Sequence, residues 1–211
     1  PAITGRVFLL LSFAGDMTTW VKPFYYHGLS IGNQLSSSAG SLDLDAVTSA
    51  TPLVTGTASL SELFLGNVGG CIGETSALAL LLGGLFLIFT RVISPSTPIA
   101  YLGSLGILTF FHALATGGSL TEVPYALLSG GVMIGAFFMA TDYVTTPITT
   151  KGKWIFGIGC GILTFVIREF ASMPEGCSFS ILLMNLLTPY IDKFTMTKPL
   201  GAKPIKKKEE A

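Results

Sequence analysis

Apolar and polar residues occur in long alternating blocks along this chain. A short apolar run covers residues 3–14, and five longer runs cover roughly 75–93, 97–115, 123–141, 153–168 and 176–192. Crossing the hydrocarbon core of a bilayer takes about 20 residues of helix, so the five longer runs lie at the lower edge of spanning length. Any one of them fits a buried soluble helix, but five in succession, separated by short proline-containing turns, favour membrane spans.

Lipid allows two kinds of spanning structure, because backbone polar groups in the hydrocarbon core must be satisfied internally by helices or closed barrels. The apolar runs are continuous, whereas barrel strands alternate. We therefore predict an all-α integral membrane protein, a bundle of about six spans whose first span is short or truncated. The predicted division is 1–14 for the first span, 15–74 for a long extracytoplasmic loop region, 75–192 for a five-helix bundle and 193–211 for a basic tail.

Composition agrees with the membrane prediction and excludes other classes. Half of the 211 residues are hydrophobic and 11% are charged, against about 25% charged in a typical soluble domain. A net charge of zero argues against nucleic-acid binding, which needs a basic surface. Cys71, Cys160 and Cys177 show no C-x-x-C spacing, so we predict free thiols and no metal site. The chain begins at Pro1, which is typical of part of a longer protein.

Basic residues predict the orientation, because cytoplasmic loops carry an excess of Lys and Arg. If the spans alternate, two of the twelve basic residues fall on one side, Lys22 and Arg168, and the others fall on the opposite side. The C-terminal tail is then cytoplasmic. The polar connection over residues 15–74 is extracytoplasmic, and its length of 60 residues suggests that it carries function.

Within that connection, the stretch from Asp45 to Thr51 offers a threonine hydroxyl flanked by small residues. Ala50 leaves space beside the hydroxyl of Thr51, and Pro52 biases Thr51 towards an extended backbone. Such an acceptor suits a phosphoester. A loop whose Ser and Thr side chains bond their own backbone is the alternative.

Further candidates lie at the ends of the spans. Gly69 and Gly70 allow close backbone approach to a ligand, and Glu74, Thr75 and Ser76 begin the next span, where free N–H groups suit an anion. An ordinary capped helix start is the alternative. Ionisable groups in spans are usually functional, so Glu74 and, at the opposite face, Asp142 are candidates for an ion pathway. A turn-forming aspartate at a helix end is the other interpretation of Asp142.

Other polar residues inside the spans are interpreted structurally. His112 and Asn185 are predicted to bond across helices. Gly157, Gly159 and Gly161 form a small-residue run suited to close helix packing. They are not a dinucleotide site, because no strand precedes them.

Several segments together resemble one family. The flavinylation motif (Asp, two variable residues, Ser or Thr, a small residue, then Ala-Thr) matches Asp45, Thr48, Ser49, Ala50 and Thr51, although Ser49 stands where Gly is frequent. The other matching segments are Pro1-Ala2, Gly5-Arg6, Phe8-Leu9, Gly69–Ser76, Phe138–Asp142, Leu182–Asn185, Pro189 and Ile191-Asp192. The chain resembles the D subunit of the Rnf electron-transport complex and the related B subunit of sodium-pumping NADH:quinone reductase. Tyr143 departs from the family, where proline is expected.

The resemblance implies a flavoprotein subunit in the bacterial cell membrane. It implies FMN on Thr51, attached as a phosphoester by a flavin transferase, and a second, non-covalent flavin such as riboflavin. It also implies electron relay between ferredoxin and NAD⁺ coupled to Na⁺ or H⁺ transport, with other subunits as partners and lipid around the spans. No residue is assigned a catalytic role, and we expect no complete activity from this chain alone.

Two other functions fit part of the sequence. A cofactor-free ion or solute permease would explain the spans, Glu74 and Asp142, but not the motif at Thr51. A scaffold needed only for assembly would explain the spans alone.

Overall fold

The computed structural model describes residues 2–13, 20–21, 48–49, 59–66, 75–171 and 176–196, with the backbone alone at 20–21 and 48–49. The elements in these residues are, in chain order, α1 (Ala2–Ser12), β1 (Trp20–Val21), β2 (Thr48–Ser49), α2 (Leu60–Leu65), α3 (Ala77–Phe89), α4 (Ser96–Thr116), α5 (Glu122–Leu128), α6 (Val132–Ile134), α7 (Thr150–Phe170) and α8 (Gly176–Thr195). A π-helical stretch, Gly135–Met139, continues α6.

Two helices in the described part of the chain, α4 and α7, are long and apolar enough to cross a membrane, each with 21 residues. The pair formed by α5 and α6 with its π-helical extension makes a third if it counts as one span. The helices α1 and α3, of 11 and 13 residues, are shorter than a span. The prediction of a helical membrane bundle agrees with these helices, and the count of six spans is not confirmed by them.

The predicted continuous run 123–141 is wrong in one respect: it is broken by a bend of 63° between its two helical parts. Ser129 has an extended backbone at the end of α5, and Gly130 has a φ of +64°. That left-handed conformation is readily adopted by glycine, so the helix stops and restarts in a new direction. Arg168 donates to the carbonyl oxygens of Ala126 (2.8 Å) and Ser129 (3.1 Å), groups that the break leaves without helical partners.

Three elements lie within the predicted loop region 15–74. The strands β1 and β2 pair antiparallel, with Trp20 opposite Ser49 and Val21 opposite Thr48, a ladder of two residues per strand that leaves the predicted all-α class unchanged. The helix α2 begins after Ser59 and ends at Gly66, whose φ is +98°. A Ser-x-x-Glu capping box, Ser59 to Glu62, marks this helix in the sequence. The strands are too short to leave an alternating pattern.

The centre of the bundle is the packing of α7 against α4 on one side and α8 on another. A Cβ atom at Gly157 would lie 2.6 Å from the Cβ of Ala100 and 2.8 Å from the carbonyl oxygen of Thr97. At Gly159 it would lie 2.7 Å from the sulfur of Met184 on α8. The predicted small-residue run is therefore confirmed as the surface that lets these three helices approach closely.

Candidate functional site

The predicted flavinylation motif lies mostly outside the described residues. Asp45, Ala50 and Thr51 are outside them, and Thr48 and Ser49 are described by their backbone as strand β2. The ladder with β1 joins this end of the motif to the segment around Trp20. The backbone immediately before Ala50-Thr51 is therefore extended and hydrogen-bonded.

The chain after the motif is held to the bundle by α2. Its N-terminus has a complete capping box: the backbone N–H of Ser59 donates to Glu62 Oε2 (3.0 Å), Ser59 Oγ donates to the same oxygen (2.8 Å), and Ser59 Oγ accepts from the backbone N–H of Glu62 (3.4 Å). The hydrogen bonds from the Ser59 backbone and side chain lower the pKa of Glu62 below its ordinary 4.5. Leu63 is buried, and α2 packs on α3 and α5.

The glycine-rich segment before α3 is described at its end alone. Gly69, Gly70 and Glu74 lie outside the described residues. Ser76 is the N-cap of α3, and its Oγ accepts from the backbone N–H of Ala79 at 3.3 Å. The capping interpretation of this segment is thus confirmed for Ser76, and ligand contact by Gly69, Gly70, Glu74, Thr75 and Ser76 stays a prediction.

Asp142 lies beside a cavity of about 510 Å³ between α1, the π-helical stretch and α8. One carboxylate oxygen of Asp142, Oδ2, accepts a hydrogen bond from Thr145 Oγ1 at 3.2 Å. Apolar side chains form much of the wall, and polar groups from three parts of the chain complete it. The lining residues are Ala2, Ile3, Thr4, Phe138, Met139, Asp142, Thr145, Leu182 and Asn185.

Asn185, which lines the same cavity from α8, does not act as predicted. Its Oδ1 is buried and has no hydrogen-bond partner among the described residues, so the expected bond from this atom to another helix is absent there. A buried acceptor without a partner is costly. Asp142 and Asn185 together offer oxygen acceptors to this cavity, which suits a ligand that brings hydrogen-bond donors or positive charge.

A second cavity, of about 550 Å³, lies at the other end of the bundle, where Leu60 of α2 meets α4, α5 and α7. Glu122 and Glu169 line it. His112 Nδ1 of α4 lies 3.9 Å from Glu169 Oε2 of α7, too far for a hydrogen bond, so the predicted bond from His112 to another helix is not made to this residue. The basic-residue pattern assigns this end to the same side as Thr51.

A buried cluster of hydroxyl and thiol groups was missed from the sequence. Tyr101 of α4 is fully buried, and its hydroxyl lies 2.7 Å from Thr164 Oγ1 of α7 and donates to Cys177 Sγ of α8 at 3.1 Å. Thr164 also contacts Ser180 Oγ at 2.7 Å. Each of these residues is a single polar position in an apolar run, and the sequence does not show that they contact one another. The cluster joins the three central helices.

Metal binding has no support in the described ranges. They contain no group of three or more His, Cys, Asp or Glu side chains that could hold an ion. Cys160 and Cys177 are buried free thiols in α7 and α8, as predicted for their thiol state. Cys71 lies outside the described residues.

Long apolar helices, small-residue helix contacts and exposed apolar side chains on the outer helix faces, such as Phe86 and Phe111, define a helical membrane protein. The comparison with known proteins names the family. The sequence profile of the NQR2, RnfD, RnfE family matches residues 1–201, and the chain belongs to this family. The resemblance seen in the motifs is thereby confirmed.

Curated relatives carry more specific names. The chain is 44% identical over 220 residues to the D subunit of the Na(+)-translocating ferredoxin:NAD(+) oxidoreductase complex of Acetobacterium woodii, with 100% of this chain and 61% of that protein covered. It is 42% identical over 218 residues to the proton-translocating counterpart of Clostridium ljungdahlii, covering 96% and 61%. It is 39% identical over 228 residues to the D subunit of an ion-translocating oxidoreductase complex of Stutzerimonas stutzeri, covering 95% and 62%. The chain thus spans about three-fifths of the length of these relatives.

Proposed function

We propose that this chain is the D-type membrane subunit of an ion-translocating electron-transport complex and relays electrons through FMN bound covalently to Thr51. The complex would transfer electrons between ferredoxin and NAD⁺ and couple the transfer to transport of Na⁺ or H⁺. The Acetobacterium and Clostridium relatives are named for these two ions, so similarity to them does not choose between Na⁺ and H⁺. The other subunits and a flavin transferase are the proposed partners.

The observation that carries the proposal is the Asp45–Thr51 motif in a chain of this family. The strand pairing of Thr48 and Ser49 supports it, because a transferase needs an acceptor segment that is extended and held. FMN would supply the redox chemistry, and the protein would supply attachment and position.

Covalent attachment is tested by the intact mass of this subunit and by flavin fluorescence in a denaturing gel. We expect a mass excess of one FMN less a water on the Thr51 peptide, and a fluorescent band that Thr51→Ala abolishes. Thr55→Ala, which removes a hydroxyl four residues further on, is the matched control and keeps the band. A wild-type band without fluorescence, from cells that make the flavin transferase, would contradict the proposal and favour a cofactor-free permease.

The cavity between Asp142 and Asn185 fits the second part of the proposal, a non-covalent flavin or a place on the ion path. Its acceptor oxygens suit the ring N–H of a flavin or a cation, and the nearby Phe138, Met139 and Leu182 suit the faces of a planar ring. The two occupants are separable. If the cavity holds the flavin, removal of the Asn185 amide should release it. If the cavity lies on the ion path, Asp142→Asn should abolish ion transport and leave the flavin content intact.

One measurement on the complex distinguishes electron relay from a role as a scaffold alone. A scaffold predicts normal electron transfer in a flavin-free Thr51→Ala complex. Electron relay predicts that the same complex assembles, with all subunits present, and transfers electrons far more slowly.

A further inference from the structure

A third cavity, of about 240 Å³, lies where the start of α4, the loop after the π-helical stretch and the first turn of α7 meet. It is on the side that the basic-residue pattern predicts to be cytoplasmic. Lys153 lines it, and none of the described residues lining it is acidic. Its polar lining residues are Ser94, Thr97, Thr141, Tyr143, Thr146 and Lys153.

Most of the hydroxyl donors around this cavity are already used. Thr141 donates to the carbonyl oxygen of Phe137 at 2.7 Å, and Thr146 donates to that of Asp142 at 2.6 Å. The Tyr143 hydroxyl donates to the carbonyl oxygen of Val92. Ser94 Oγ shares a hydrogen bond of 3.3 Å with Ser96 Oγ.

Two donors remain, the hydroxyl of Thr97 and the ammonium group of Lys153. Thr97 is 1% exposed, and within the described residues its hydroxyl has no hydrogen-bond partner. Lys153 is partly buried, and no carboxylate in the described chain pairs with it. Both groups are therefore available to a ligand that accepts hydrogen bonds and carries negative charge.

The start of α4 adds to the positive potential. Pro95, its N-cap residue, offers no side-chain cap, so the first N–H groups of the helix, those of Ser96 and Thr97, are not capped by it. The N-terminus of a helix carries partial positive charge and favours anions. Two acidic groups lie close by, but neither lines the cavity: Asp142 accepts from Thr145, and Asp192 Oδ1 accepts from the backbone N–H of Ile148 at 3.0 Å.

We propose that this cavity binds a phosphate group through the Lys153 ammonium and the Thr97 hydroxyl. The phosphate belongs either to the headgroup of an anionic lipid or to a free phosphate ion. Basic pockets between spans on the cytoplasmic side are places where lipid headgroups bind, and the volume leaves room for a tetrahedral anion with a few waters. Tyr143 closes one wall, and it is the residue that departs from the expected family pattern. The site does not depend on the flavin proposal.

The test uses the whole complex and two probes. Inorganic phosphate is titrated at constant ionic strength while the melting temperature of the complex is followed. Separately, native mass spectrometry counts phosphatidylglycerol molecules retained after exchange into phosphatidylcholine nanodiscs. The variants are Thr97→Val, which removes the hydroxyl at similar shape, and Lys153→Met. Thr97→Ser keeps the hydroxyl, and Lys151→Met removes an exposed charge two residues away on the same helix.

Two results support the site and identify the source of the phosphate. Free phosphate binding predicts stabilisation of the wild type, Thr97→Ser and Lys151→Met, with affinity lower by on the order of tenfold in Thr97→Val and Lys153→Met. Headgroup binding predicts no effect of inorganic phosphate, and one phosphatidylglycerol per complex that the same two variants lose.

Three results overturn the site. They are the absence of both effects in the wild type, an equal loss in Lys151→Met, and unchanged binding in both Thr97→Val and Lys153→Met. The Thr97→Ser variant separates loss of a donor from damage to the fold, because it keeps the donor and removes a methyl group.

Discussion

The hydroxyl oxygens of Tyr101 and Thr164 lie 2.7 Å apart in the fully buried contact between α4 and α7. Cys177 Sγ accepts from the same tyrosine at 3.1 Å, and Ser180 contacts Thr164 at 2.7 Å. Apolar contacts alone would select the arrangement of these helices only weakly, because lipid tails are as apolar as the helix surfaces. The cluster therefore fixes how three helices meet.

Removal of the tyrosine hydroxyl tests that role. Tyr101→Phe takes a buried partner away from both Thr164 and Cys177, and we expect a loss of about 1 kcal/mol in the free energy of unfolding. Unfolding in mixed detergent measures it. Tyr190→Phe, on α8 with 65% of its side chain exposed, is the control and should cost little. Equal losses in the two variants would mean that the cluster contributes nothing specific.

Close approach of α7 to α4 depends on Gly157. A methyl group there would lie 2.6 Å from Ala100 Cβ and 2.8 Å from the carbonyl oxygen of Thr97, so Gly157→Ala should push the helices apart and cost about 1–3 kcal/mol. Gly103 of α4 is the matched control, because a Cβ there has no neighbour within 4 Å. Gly103→Ala should be neutral or slightly stabilising, since alanine favours helix over glycine.

The comparison is made by thermal unfolding of both variants in the same detergent. If Gly157→Ala is as stable as Gly103→Ala, then α4 and α7 adjust without cost and the small-residue run is not what sets their distance.

The capping box gives α2, the helix that follows the predicted flavinylation motif, a pH-dependent stability. Hydrogen bonds from Ser59 lower the folded-state pKa of Glu62. The stabilisation is therefore fully present above the unfolded pKa, near 4.5, and is lost as the pH falls through the folded pKa. We expect amide exchange of α2, corrected for its intrinsic pH dependence, to speed up as the pH falls below about 4.5.

Two variants check the assignment. Ser59→Ala removes the two hydrogen bonds of the Ser59 hydroxyl with Glu62 and keeps the one from the backbone N–H to Glu62 Oε2, and it should speed exchange at neutral pH. Glu62→Gln keeps a side chain that can bond back to the Ser59 N–H and removes the titration, so its α2 should show the same protection at neutral and acid pH. If the protection of wild-type α2 from amide exchange does not change with pH, Glu62 does not have this role.

The sequence revealed the features that repeat or that carry strong local signals. Apolar runs located α4 and α7, and glycines at 157, 159 and 161 located the close helix contact. The break at Gly130 was not visible, because hydrophobicity continues through it while the direction of the chain changes. The Ser59-x-x-Glu62 pattern marks the start of α2, but it lies in a long polar segment that was predicted as a loop.

The candidate sites divide in the same way. Thr51 rests on a contiguous motif, which a single sequence can display. The meeting of Asp142 with Asn185, and of Thr97 with Lys153, brings together residues 43 and 56 positions apart in one cavity each. Such pairings follow from how the helices cross, and hydrophobic periodicity does not encode the crossing. Asn185 shows the consequence: it was predicted to bond a neighbouring helix and instead lies beside a cavity.

The position of Asn185 predicts that substitutions at two neighbouring residues of α8 change the stability of the subunit in opposite directions. Its buried Oδ1 has no partner among the described residues, so Asn185→Leu removes an unsatisfied acceptor, and the stability of the flavin-free subunit should stay the same or rise. Thr188, one turn along α8, donates to the carbonyl oxygen of Thr145 at 2.8 Å. Thr188→Val should therefore lose about 1 kcal/mol.

The flavin content of the two variants should rank in the opposite order to their stability. If the cavity holds a non-covalent flavin, denaturation of the purified complex should release less flavin from Asn185→Leu than from the wild type, and an unchanged amount from Thr188→Val. The variants are compared at temperatures at which they are equally stable. A cavity that serves the ion path alone predicts full flavin content in both variants and a higher ion concentration for half-maximal activity in Asn185→Leu. Lower stability of Asn185→Leu in the flavin-free subunit would show that Oδ1 has a protein partner, and both roles of this residue would then fail.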